Sequence, residues 1–372
     1  MNSLFIVKGQ GTFLFKDTSP SIKLRFTNSE QNKILTVIMN EYVKVYCDGH
    51  EYVDPNNNIG TVETHGSYYW ISINAQTQQI FVGIGEARIE TVIYQCIIPN
   101  HKLFLENLVS VHYEETTNMY KTFKDPISPN VPLVVKNTDD LTMEDIATNR
   151  FMPKAYLSET SQKLYECISG KKFILNEDDF PDFSKAIEYS IATPGLWCHE
   201  KLISKSREFN PNVSNIKETY LRITLGQNMG ESPGIPYVME IWPPGHYSPI
   251  HSHAGASAII RVLHGTIHVK LFPFLCSNHD KVEPFGKADF TKDEITWISP
   301  NLNQTHQLVN QHNKTCVTIQ CYMYEDNNVR HYDYFDYLDD YGNKKKYEPD
   351  SDMDYVSFKN RMRMEWDNRK SI

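Results

Sequence analysis

Two histidines one residue apart, His251 and His253, are the side chains of this 372-residue chain best placed to do chemistry. Side chains alternate along a strand, so positions 251 and 253 point to one face and can offer two imidazoles to a single ion. A third donor has to come from elsewhere. Three neutral imidazoles would leave about half of an octahedral ion's positions open, which suits a site that takes up substrate and oxygen. His246, His264, His268 and His312 lack paired spacing and read as surface or structural residues. The seven cysteines, 47, 96, 167, 198, 276, 316 and 321, are an odd number without a C-x-x-C pair. They read as reduced thiols, mostly buried, not as a disulfide framework.

The elements that must position these histidines read as strands. From residue 218 the hydrophobic period is two, with runs at 220–225, 237–242, 258–263, 267–272, 294–298, 306–310 and 316–324. Short antiparallel strands at this spacing predict a barrel or double-sheet roll. Two helices precede it. One covers 158–168 and is closed by Gly170; the other covers 179–191, with Asp179 as cap, Pro181 in the first turn and Pro194 as stop. Leu157, Leu164 and Ile168, and then Phe183, Ile187 and Ile191, recur at helical spacing, so each helix has one face to bury.

The N-terminal part carries β-branched and aromatic runs at 35–39, 42–46, 68–73 and 80–83 between polar turns, which predicts a β-sandwich. The expected class is therefore mainly β: a sandwich over 1–105, a linker over 106–150, a barrel domain with its helices over 151–330 and a polar acidic tail over 331–372. The linker reading rests on Pro126, Pro129, Pro132 and Asp139-Asp140. The tail is crowded with Asp and Tyr and holds Lys344-Lys345-Lys346, the composition of a segment that wraps the barrel or stays partly disordered.

Net charge is −9, and the 37 Lys and Arg are scattered, which argues against nucleic acid and anionic membranes as partners. No leader-like start and no apolar run of membrane-spanning length is visible, so a cytoplasmic protein is expected.

Two spaced motifs then point to a family. Gly245, five residues, His251-x-His253 and the turn glycine Gly265 match the first motif of the cupins; Pro300-x5-His306-x3-Asn310 matches the second, and makes His306 the third ligand. Ala258 stands where many cupins place a glutamate, and that departure resembles the cysteine dioxygenases. Trp242-Pro243-Pro244-Gly245-His246-Tyr247-Ser248-Pro249-Ile250-His251-Ser252-His253 is similar to that family's Trp-x-x-Gly-His-x-Ser-x-Ile-His-x-His, and Leu263-x-Gly265 with Leu271-Phe272 also matches. Tyr220-Leu221-Arg222 looks like the family's Tyr-x-Arg, whose arginine binds the substrate carboxylate through a planar fork. Thr318, Gln320 and Tyr322, on one strand face, stand at the family's Ser-x-His-x-Tyr positions.

The resemblance implies Fe(II) on His251, His253 and His306, with Arg222, Tyr220 and Gln320 binding substrate and Tyr322 moving a proton. The implied reaction is O2-dependent oxidation of a small thiol carboxylate, cysteine or similar, to its sulfinic acid. Two departures bear on it. The cysteine that animal enzymes join to the tyrosine falls at Ala258, and the middle histidine of the series is Gln320. A metal-dependent cupin acting on a non-thiol, and a non-catalytic binding or structural cupin, remain as alternatives. At the N-terminus, Tyr69 to Ile73 and Ile80 to Ala87 resemble the β-sandwich module named after farnesoic acid O-methyltransferase, for which a protein or carbohydrate partner is the expectation.

Overall fold

A computed structural model of the chain describes residues 2–16, 21–58, 60, 68–114, 117–127, 130–225, 237–275, 283–326 and 334–369. Cys276 and Pro129 lie outside the described residues. The chain divides into two units, Met1–Val131 and Pro132–Ile372.

The first unit is a β-sandwich. One sheet has the order β1 (Asn2–Leu4), β10 (Leu108–Tyr113), β3 (Ile22–Asn28), β4 (Ile34–Met39), β5 (Val43–Cys47), β6 (His50–Tyr52). The other runs β11 (Asn118–Phe123), β2 (Gln10–Lys16), β7 (Tyr68–Asn74), β8 (Gln79–Ile84), β9 (Val92–Ile97). Alternation explains the packing: Leu24 and Phe26 of one sheet, and Phe13, Phe15, Ile71 and Ile73 of the other, turn inward into one core. The expected boundary at 105 is too early. β10 and β11 lie in the stretch read as linker, and their partners β1, β3 and β2 are the first strands of the chain.

The second unit holds two six-stranded sheets. The first has the order β20 (Ile295–Ile298), β17 (Ser257–His264), β22 (Cys316–Met323), β15 (Tyr237–Trp242), β14 (Leu221–Leu225), β25 (Met353–Asp354). The second has the order β19 (Gly286–Thr291), β18 (Thr266–Phe272), β21 (Thr305–Val309), β16 (His251–Ser252), β23 (Phe335–Leu338), β24 (Lys344–Tyr347). The eight strands from β15 to β22 pass between the sheets in the order of a jelly roll, with only the β18–β19 hairpin staying within one sheet, the cupin architecture. Trp242, Val262 and Cys316 of one sheet meet Ile267, Phe290 and Leu308 of the other. A short parallel pair, β12 (Val135–Lys136) with β13 (Met152–Pro153), precedes the roll, so residues 132–150 belong to this unit.

Two short helices, α1 (Lys102–Glu106) in the first unit and α2 (Met143–Ala147) in the second, come before the longer ones, and helices of the second unit cover the first of these sheets. α3 (Glu159–Ile168) starts at Ser158, whose Oγ accepts from the Ser161 amide at 3.2 Å. Its far end is capped by Arg261 of β17, which donates to the Ile168 and Gly170 carbonyls at 2.9 and 2.8 Å. α4 (Phe183–Ala192) begins later than expected. Asp179 is not its cap; its carboxylate pairs with Lys359 and Arg363 of α6 (Tyr355–Asn368) at 2.9 Å each. α5 (Trp197–Ser204) and α6, unread in the sequence, pack with α4 through Phe183, Trp197 and Phe358. The segment expected as a tail thus contributes three strands and a helix. Among the described residues, no helix is long and apolar enough to cross a membrane.

Candidate metal centre

The two histidine motifs meet because β16 pairs with β21. That register sets His251 opposite His306, and β23 places Tyr337 opposite His251 from the other side. β16 is only two residues long, so His253 lies just past it, in a turn made by Ala254 (φ 51°) and Gly255 (φ 80°). Gln304 fixes this turn. Its Oε1 accepts from the Gly255 amide at 3.0 Å, and its Nε2 donates to the Ala256 and Ser299 carbonyls at 2.9 and 2.7 Å. Asn310 closes the second motif onto the first, donating from Nδ2 to the Trp242 carbonyl at 2.7 Å.

The tautomers follow from the partners. His251 Nδ1 lies 3.1 Å from the Pro249 carbonyl and His306 Nδ1 lies 3.0 Å from the Asn303 carbonyl. A carbonyl only accepts, so each Nδ1 carries the proton and each Nε2 keeps its lone pair. His253 Nε2 sits 3.2 Å from His306 Nε2, while its buried Nδ1 has no partner. One ring nitrogen from each histidine lies within 4.8 Å of the other two. Burial, with His306 next to it, depresses His251 to about 3, burial depresses His306 to about 4, and His253 falls well below the usual imidazole range. All three are neutral and able to ligate.

These residues fit a metal ion. The His253 and His306 Nε2 atoms, 3.2 Å apart, would each lie about 2.1 Å from a shared ion and subtend about 100°, between the octahedral and tetrahedral angles. Among the described residues no carboxylate joins them, and Ala258 faces Tyr322 across β17 and β22.

Tyr220, Arg222, Gln320 and Tyr322, expected from the sequence at the site, line the same cavity. Tyr322 stacks on His253 with ring centres 5.3 Å apart, and Phe335 packs edge-on against His253 at 4.6 Å. The Tyr322 hydroxyl donates to Gln320 Oε1. Burial first, then the Glu240 charge, hold the Tyr322 phenol far above its ordinary value, so it keeps its proton. Tyr220 stacks on Trp242 with centres 4.2 Å apart.

Arg222 is where the structure departs from expectation. It is not presented as a free fork for a substrate carboxylate, because the chain supplies one: Nη1 donates to Glu240 Oε1 at 2.7 Å, and both side chains are buried. Gln320 donates to the second Glu240 oxygen, so Gln320 joins Glu240 to Tyr322. Burial pushes the Glu240 carboxyl up while Arg222 and Gln320 pull it back; the Glu240 charge holds the guanidinium protonated. Sequence reasoning missed Glu240. The available signal was a carboxylate in the middle of the apolar run Tyr237–Trp242, directly opposite Arg222 once β14 and β15 pair.

The unpaired histidines stand outside the centre. His246 Nδ1 lies 2.9 Å from the Thr219 carbonyl, His268 and His312 face the Asp289 carboxylate at 3.0 and 3.5 Å, and His264 lies 3.6 Å from Glu188. In the first unit, Cys47, Asp48 and His101 form a second group of donor side chains, with Cys47 Sγ 3.8 Å from His101 Nδ1. Burial, with Asp48 adding to it, pushes that thiol up to about 11.

No protein-family model matches the chain. No curated protein matches it either. Among solved structures, similar ones include the Cupin_2 domain of an XRE family transcriptional regulator from Enterobacter cloacae (14% identity, 28% of this chain and 97% of that chain, TM-score 0.23). The cupin domain of Cnp3 from Schizosaccharomyces pombe shares 14% identity over 31% of this chain and 71% of that chain, TM-score 0.23. Oxalate oxidase in complex with the substrate analogue glycolate shares 17% over 32% of this chain and 56% of that chain, TM-score 0.23. Likeness at this level names no chemistry for this chain.

Proposed function

We propose that the second unit is a metal-dependent cupin that oxidises a small thiol with O2, a thiol dioxygenase with Fe(II) on His251, His253 and His306. The observation that supports this reading most is the convergence of three neutral imidazoles, two buried and His251 half-buried, on one cavity beside a protonated phenol. Iron held by these three histidines would keep the substrate sulfur as an electron-rich thiolate and activate O2. The reaction balances without an external reductant: RSH and O2 give RSO2H, with both oxygen atoms on sulfur.

The protein's own groups shape the step. Pro249 and Asn303 carbonyls fix the tautomers of His251 and His306, aiming Nε2 inward. Tyr322 holds a proton beside His253, donated to Gln320, and would hydrogen-bond a reacting oxygen by turning its hydroxyl from Gln320. The aromatic wall of Phe209, Trp242, Phe335 and Tyr337 keeps water low around the reacting sulfur.

A cupin acting on a non-thiol is the second reading. It is favoured by the engagement of Arg222 with Glu240 in place of a substrate carboxylate. The test is oxygen uptake by anaerobically iron-loaded protein on a panel of small thiols, with product mass read in parallel. Thiol-dependent uptake, a product heavier by two oxygen atoms and loss of both in His306→Ala are expected. Iron-loaded protein that consumes oxygen with no thiol overturns the reading.

A further inference from the structure

The first unit carries a second meeting of metal-ligating side chains, remote in sequence from the three histidines. Cys47 ends β5, and Asp48-Gly49, with φ of 49° and 84°, makes the two-residue turn into β6. His101 stands just before α1, on the connection that leads from β9 of one sheet to β10 of the other. The turn thus meets a segment 54 positions later: Cys47 Sγ lies 3.8 Å from His101 Nδ1, and each of the three donor atoms is within 4.8 Å of the other two.

The donor set has the chemistry of a zinc site. Thiolate, imidazole and carboxylate are ligands that a borderline-soft divalent ion takes together, whereas magnesium and calcium prefer oxygen alone. With zinc about 2.3 Å from sulfur and about 2.1 Å from nitrogen, the 3.8 Å separation subtends about 120°, close to tetrahedral. Burial fits as well. Cys47 is 1% exposed and His101 is half-buried, so a bare thiolate would be poorly solvated there, next to the Asp48 carboxylate. A divalent cation neutralises both charges at once. The ion pair of Asp48 with Lys33 is long, 3.9 Å between partly exposed side chains, and costs little to break. Tyr52 and Phe104 stand edge-on to the His101 ring, with centres 6.2 and 6.5 Å away, and flank it.

We propose that Cys47, Asp48 and His101 bind a zinc ion, with the fourth position open to water, and that the ion clips the β5–β6 hairpin to the start of α1. The site is independent of the three-histidine centre and of the reaction proposed for it. Binding releases the thiol proton to solvent and joins positions 54 apart, which stabilises the first unit.

Cobaltous ion is the probe, because a cysteine sulfur on cobalt gives a near-ultraviolet thiolate-to-metal charge-transfer band that a site of three imidazoles cannot give. The reduced full chain, titrated anaerobically with cobalt, should develop this band to saturation, and added zinc should bleach it. The band should persist in His306→Ala and disappear in Cys47→Ala. In His101→Ala cobalt should bind more than about tenfold more weakly, since even an outer-shell partner can be worth that much. No band in the wild type, a band undiminished in folded Cys47→Ala, or one lost in folded His306→Ala overturns the site. If Cys47→Ala does not fold, His101→Ala decides, and unchanged cobalt affinity there overturns the proposal. A cobalt band that excess zinc leaves intact overturns zinc as the occupant.

Discussion

At the scale of residues, the centre works by keeping three imidazoles neutral in a place where their protons would be costly. His251, near 3, and His306, near 4, take up protons in the unfolded chain at ordinary imidazole values but in the folded chain only at much lower pH. The depressed values fix the sign: their contribution to stability is full above about 6.5 and is lost as pH falls toward 4. In metal-free protein each should cost roughly 2 kcal/mol at pH 5 relative to pH 7. Urea midpoints at the two pH values measure the loss, and His306→Gln should reduce it; a flat profile would contradict the burial. The first two histidines were legible because one-residue spacing on a strand has a simple geometric meaning. Glu240 was not. A lone carboxylate in an apolar run declares its role only when a neighbouring strand sets Arg222 opposite.

At the scale of elements, turn geometry decides whether the histidine motifs can meet. Gly265 joins β17 to β18 at φ 73°, and a Cβ there would stand 2.5 Å from the Thr315 carbonyl oxygen. Gly265→Ala should therefore destabilise the second unit by about 2 kcal/mol or more, lowering its melting temperature by several degrees. Thermal unfolding followed by circular dichroism checks this, and an unchanged melting temperature would refute the assigned strain. Strands with clean alternation were read within a residue or two: Tyr237–Trp242 was exact, and Leu221–Leu225 and Cys316–Met323 each differ by one residue. Gly286–Thr291 escaped because its inward positions, Gly286, Ala288 and Phe290, carry a single large apolar side chain, so its alternation is weak in hydrophobicity. The start of α4 was misplaced because Asp179, which looks like a cap, is held by two cations of a helix some 180 positions later.

At the scale of the whole molecule, the boundaries were the least legible feature, for a physical reason. Residues 108–123 look polar, yet β10 and β11 complete sheets begun at the first strands of the chain, a pairing that local periodicity cannot reveal. The C-terminal stretch reads as a solvated tail, yet β23 pairs with the strand that carries His251 and brings Phe335 and Tyr337 to the cavity wall. Every described residue lining the cavity belongs to the second unit. Residues 132–372 expressed alone should therefore bind ferrous iron with the stoichiometry of the full chain, whereas a chain ending at 333 should not. Iron binding that depends on the first unit would contradict that assignment.

The most direct test of the central claim is iron content by elemental analysis after anaerobic ferrous loading and removal of free metal, on the wild-type chain and on His306→Ala. Three converging imidazoles predict about one iron per chain in the wild type, and a substantial loss in a variant whose circular dichroism shows the fold intact. No retained iron in the wild type, or equal retention in a folded His306→Ala, would contradict the centre described here.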